Sequence, residues 1–70
     1  MTADAVTVEP PGHPLHALAT FELRDYRREL ERAIGYYDKH HPTAPVLADL
    51  RKALDDVLAE QESRKRVYRA

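Results

Sequence analysis

The chain has 70 residues, 43% of them hydrophobic and 33% charged, with a formal net charge of -1 and no cysteine. Disulfides, thiolate metal sites and cysteine nucleophiles are thereby excluded, and no overall field draws the chain toward nucleic acid or an anionic membrane. No apolar run approaches the ~20 residues of a membrane span.

Size is the tighter bound. Below about 70–80 residues a single core seldom supplies more than about 3–5 kcal/mol without disulfides, metal or oligomerisation. With one Phe and no Trp, self-association is the expected source of further stability.

The first stretch, MTADAVTVEPPGH, has neither a basic n-region nor a long apolar core. The expectation is therefore no signal peptide and a cytoplasmic location. Val6, Thr7 and Val8 alternate like a very short strand, but Pro10, Pro11 and Gly12 come at once after Glu9 and favour turns or extended backbone. Residues 1–13 are predicted to form a flexible N-terminal arm, and residues 14–70 a helical hairpin. After Pro14, the residues Leu15, Leu18 and Phe21 are three apart and out of phase with the apolar spacing that begins at Leu23. They predict a short separate helix folded over the hairpin, or a second apolar face on the first helix. Phe21 is expected to bury against another chain or against the far end of the second helix.

From Thr20 to Lys39 the period is helical. Leu23, Tyr26, Leu30, Ala33 and Tyr37 are spaced 3, 4, 3 and 4 apart, a heptad seam of the coiled-coil kind that places them along one face. Ile34 widens the stripe. Arg27 with Glu31, Asp25 with Arg28, Arg28 with Glu31 and Glu29 with Arg32 stand one turn apart, each such pair adding roughly 0.2–0.5 kcal/mol. Thr20 is the expected N-cap, and Glu22 and Asp25 complement the positive end of the helix dipole. Gly35 weakens the interior and marks either close helix approach or fraying before the loop, the fraying being favoured.

His40, His41, Pro42, Thr43 and Ala44 break the pattern, since a residue before proline is pushed out of the helical region. Pro45 opens a second helix to about residue 66. The short connection makes the two helices antiparallel neighbours. Leu47, Leu50, Leu54 and Val57 continue the seam, flanked by Val46, Ala53 and Leu58. Arg51 with Asp55, Lys52 with Asp56, Glu60 with Arg64 and Glu62 with Arg66 are spaced for pairing. The next seam positions, Gln61 and Arg64, are polar, so the last turns are predicted to project into solvent.

Chemistry is sparse. His13 and His16 lie some 30 Å from His40 and His41 along the first helix, and a zinc site needs three or four ligands. Solvated histidines and no metal site are expected. Every carboxylate has a base one turn away, and there is no phosphate loop or nucleophile elbow; no catalytic residue and no cofactor is predicted. Arg24, Arg28 and Arg32 form a ridge that would suit phosphates, but Asp25, Glu29 and Glu31 sit between them and are read as neutralising it. The C-terminal end, with Arg64, Lys65, Arg66, Tyr68 and Arg69, is the better candidate for nucleic acid, since Tyr68 is placed to stack on a base. A ribbon-helix-helix DNA binder has the same order of strand, helix and helix and is a minor alternative, disfavoured because AVTVE lacks a base-reading side chain and the helices are long for that fold. Of the tyrosines, Tyr26 and Tyr37 are expected mostly buried on the seam, and Tyr36 to serve an interface.

The resulting expectation is an all-α protein, an antiparallel two-helix hairpin dimerising into a four-helix bundle. It is read as a small regulator, adaptor or accessory subunit acting by protein contact with itself and with another protein. The interface residues are Leu18, Phe21, Ile34, Tyr36, Val46, Ala53 and Leu58. The alternative is a nucleic-acid-associated regulator using the basic C-terminal end.

Overall fold

The computed structural model describes residues 8–69, with side chains as far as residue 66. Residues 1–7, and with them Val6 and Thr7 of the expected arm, lie outside the described residues. Among the described residues there are two helices, α1 (Thr20–His40) and α2 (Pro45–Arg69), preceded by a single 3-10 turn at Leu15–Ala17, and no strand.

Both helix boundaries come from local chemistry. The N-cap of α1 is Ala19, one residue earlier than expected, and Thr20 is already helical. Alanine has no oxygen with which to cap. Glu22 does half of the reciprocal capping arrangement instead, its Oε1 accepting from the Ala19 N–H at 2.8 Å. At the far end His41 leaves the helix with φ -144, as its position before Pro42 requires. Its N–H still donates to the Tyr37 carbonyl at 2.8 Å. Pro45 then opens α2, where its missing N–H costs nothing. Helix α1 runs unbroken through Gly35, so the fraying reading does not hold. Nor does close approach explain the glycine, since a Cβ there would meet no atom within 4 Å.

The two seams meet. Leu23, Leu30 and Ala33 of α1 and Leu50 and Val57 of α2 are buried together, with Leu18 from the segment before α1. Cross-links fix the direction. Arg27 donates to Gln61 at 2.9 Å, and Arg51 pairs with Asp38. Eleven residues forward on α1 (Arg27 to Asp38) correspond to ten residues back on α2 (Gln61 to Arg51), so the hairpin is antiparallel. Its extents are 48 × 21 × 14 Å. The smallest dimension is that of a single helix layer. Tyr26 and Tyr37, expected mostly buried, are only half-buried, because no second layer covers the flanks of the seam.

The end of α2 departs from expectation. Gln61 and Arg64 are half-buried rather than projecting into solvent. The seam continues through them by hydrogen bonds in place of apolar contact. Arg64 donates through Nη2 to the carbonyls of Leu15 and Leu18, at 3.1 and 2.7 Å, and through Nε to Glu60 Oε2 at 3.0 Å. Its fork thereby holds the 3-10 turn down on the hairpin and lets Leu18 reach the core. Of the two sequence readings of Leu15 and Leu18, the short separate element folded over the hairpin is the one found.

Gly35→Ala is expected to raise the unfolding free energy by about 0.5–1 kcal/mol, through helix propensity alone, in a urea titration. Arg64→Ala is expected to lose about 1.5–3 kcal/mol and to speed proteolysis within residues 8–18; Arg64→Lys should not rescue it, since a single ammonium lacks the fork. An Arg64→Ala variant with unchanged urea midpoint and cleavage would refute the bracing role.

Candidate interaction surfaces

At 3.6 residues per turn the hairpin presents distinct sides, and the cross-links orient them. One edge carries Arg27, Glu31, Ile34 and Asp38 of α1 beside Leu47, Arg51, Leu54 and Leu58 of α2. Its charges are paired within the chain: Arg27 Nε with Glu31 Oε2 at 3.1 Å, and Arg51 with Asp38. Ile34 and Leu54 are half-buried and Leu58 is 37% exposed. No other part of the described chain lies over these three, and we call this the open edge.

The opposite edge is covered in part by the chain itself. Glu9, Pro11, Gly12, His13 and Leu18 face Glu22, Asp25, Tyr26 and Glu29 of α1 across a shallow cleft of about 310 Å³. This covered edge is acidic, and on α2 it continues with Asp49, Asp56 and Glu60. Asp56 is paired with Lys52 at 3.1 Å and Glu60 with Arg64. Val8 and Leu15 pack against the core as part of the same segment.

The interface residues expected from the sequence do not form one surface. Leu18 is 7% exposed and belongs to the hairpin's own core. Ile34 and Leu58 are on the open edge. Val46, 39% exposed, and the half-buried Ala53 turn toward the acidic edge. Tyr36 is half-buried at the loop end, where its ring meets Tyr37 edge-on at 5.3 Å and His40 at 4.7 Å. Phe21 is 61% exposed. It is not covered by the far end of α2, because at 100° per residue it lies opposite Leu23 and Leu30, on the outward side of α1.

The basic C-terminal end is altered by the fold as well. Arg64 is engaged with Glu60 and two carbonyls, while Lys65 and Arg66 remain exposed; the side chains of Tyr68 and Arg69 lie outside the described residues. His13, His16, His40 and His41 are all exposed, and among the described residues no group of three or more metal-ligating side chains comes together. The pairing of Tyr36 with His40 and of Tyr37 with His41, ring centroids 4.7 and 6.2 Å apart, is not among the sequence expectations, although the i,i+4 spacing signals both. No described helix is long and apolar enough to cross a membrane.

The fold perturbs the titration of Tyr26. Burial first, then Asp56 and Glu29, hold its hydroxyl above the ordinary 10.0. The folded chain thus keeps this proton at a pH where the unfolded chain has released it, so stability falls as pH rises above about 10. A denaturation series at alkaline pH is expected to show that loss, and Tyr26→Phe to diminish it; the same alkaline limb in both proteins would contradict the assignment.

The chain matches no protein-family model, no curated protein and no solved structure.

Proposed function

We propose that this chain is a non-enzymatic helical module that works through protein contacts, and that a second copy of itself docks on the open edge. The observation that carries the reading is the asymmetry between the two edges. One is covered by the chain's own N-terminal segment; the other leaves Ile34, Leu54 and Leu58 uncovered beside the core. A hairpin one layer thick has no other means of covering them within the described chain.

Charge supports the second copy as occupant. A two-fold contact brings the same patch of both partners together, so the patch must complement itself. Edge-to-edge contact through the acidic side would oppose Glu22, Asp25 and Glu29 to their own copies. The outward side of α1 would oppose arginine to arginine. On the open edge each of Arg27 and Arg51 is neutralised within its own chain, and the groups between are apolar. Two hairpins joined there give a four-helix arrangement whose contact region is the Leu54 and Leu58 side of α2 and the Ile34 side of α1.

Of the seven residues read from the sequence, Ile34 and Leu58 fit this contact. The same edge is available to a helix of another protein, in the role of adaptor or accessory subunit.

Light scattering coupled to size exclusion is expected to give a mass of twice 8.0 kDa at micromolar concentration, with helical circular dichroism on the same peak. Leu58→Glu should weaken the dimer by about tenfold or more while preserving helicity, since a charge is then desolvated at the contact. Val46→Glu, on the covered side, should leave it intact. A folded, monodisperse 8.0-kDa monomer would overturn the self-association.

A further inference from the structure

Among the described bases of α1 and α2, Lys65 and Arg66 stand exposed at the C-terminal end, and the other eight divide into two groups. Arg27, Arg51, Lys52 and Arg64 each have a carboxylate partner. Arg24, Arg28, Arg32 and Lys39 are exposed and have none among the described residues. These last four share one side of α1, the side turned away from Leu23, Leu30 and Ala33.

The acids that stand between them in sequence are drawn elsewhere by the fold. Glu31 is taken by Arg27 on the open edge, with its Oε2 3.1 Å from the guanidinium. Asp25 and Glu29 line the cleft beneath the N-terminal segment, on the other flank. What alternates along the sequence is therefore partly separated around the helix, with Asp25 and Glu31 bordering the row of arginines on its two sides. Arg24, Arg28 and Arg32 succeed one another about 6 Å apart along the axis, and the row to Lys39 spans about 22 Å.

Two further features lie on this side. Phe21, 61% exposed, precedes Arg24 by one turn and is the most exposed large apolar group among the described residues. Gly35 falls between Arg32 and Lys39, with no atom within 4 Å of where its Cβ would stand, so the backbone there is open to close approach. A row of cations ending in an exposed aromatic ring is what proteins use to hold a phosphodiester chain while a neighbouring base stacks.

We infer that the outward side of α1 binds single-stranded nucleic acid, Arg24, Arg28, Arg32 and Lys39 holding successive phosphates and Phe21 stacking on a base. The site does not depend on the proposed self-association, because the ridge and the open edge are different sides of α1. It reads no sequence: the contacts are to phosphate and to the face of a base, so affinity is set by salt. It also differs in place from the basic C-terminal end, whose Arg64 is committed to the 3-10 turn.

The test is fluorescence anisotropy of a labelled thymidine oligonucleotide of about 16 nucleotides, titrated with the full chain at several salt concentrations. Four phosphate contacts give a log–log salt slope of about -2.8, or about a 50-fold loss of affinity between 50 and 200 mM salt. The variant with Arg24, Arg28 and Arg32 all changed to Gln is expected to keep its circular dichroism and to lose most of that slope, to about -0.7. Arg27→Gln and Arg51→Gln, at paired positions, should leave the slope unchanged. Phe21→Ala should weaken the oligonucleotide by about fivefold or more and leave inorganic polyphosphate unaffected. No anisotropy change at low salt, an unaltered slope in the triple variant, or binding to phosphatidylserine vesicles without binding to the oligonucleotide would each overturn the inference.

Discussion

Two helices bury one stripe of each other and nothing more. That geometric limit governs this molecule. Leu23, Leu30, Ala33, Leu50 and Val57 form a dry seam, all but Leu50 at most 1% exposed, yet each lies within one residue's width of solvent. A second layer would cover Tyr26, Ile34, Tyr37 and Leu54, and the described chain has none. These side chains stay half-buried because of the number of helices and not because of their chemistry. The same limit explains why the edges of the seam matter more here than in a larger domain, where they would be interior.

Arg64 shows how a polar residue extends such a seam. At the open end of the hairpin the apolar pattern has run out, and a 3-10 turn must be held against the end of α2. A leucine there would offer the turn only contact area. The guanidinium instead satisfies the carbonyls of Leu15 and Leu18 while keeping its charge balanced against Glu60. Charge-assisted bonds to backbone carbonyls are directional as well as strong, so the turn is set in position and Leu18 enters the core. The N-terminal segment then lies over one edge of the seam and leaves the other bare. An asymmetric surface arises from a nearly symmetric pair of helices.

Charge obeys the same division. Along the sequence acids and bases alternate closely enough that they read as mutually neutralising. Around the helix they separate in part: Glu22, Asp25 and Glu29 line the covered edge, Arg24, Arg28, Arg32 and Lys39 the outward side with Asp25 and Glu31 at its borders, and the paired Arg27 and Glu31 the open edge. At distances near the Debye length of about 8–10 Å such partly separated sides act as separate surfaces toward an approaching partner, although the net charge of the chain is only -1.

Much of the fold was legible in the sequence because it is local. Heptad spacing placed both helices and both seams, and His41 before Pro42 and Pro45 at a first helical turn marked the connection, all of which are backbone and periodicity effects within a few residues. The cap at Ala19, one residue off, was not legible because an alanine carries no capping signal of its own. The surfaces were not legible in the same way. Leu18 and Phe21 are three apart and equally apolar, yet one is in the core and the other in solvent. Arg64 and Arg66 are alike in sequence, yet only Arg64 has backbone carbonyls within reach. Arg51 has Asp55 one turn away and pairs instead with Asp38 of the other helix. In each case the deciding partner is far along the chain. Sequence by itself determined that there would be two antiparallel helices joined at their apolar stripes. Only the tertiary structure decided which edge the N-terminal segment covers, and so which side chains remain for a partner, because that choice depends on contacts such as Arg64 to Leu15 and Leu18 that no local spacing encodes.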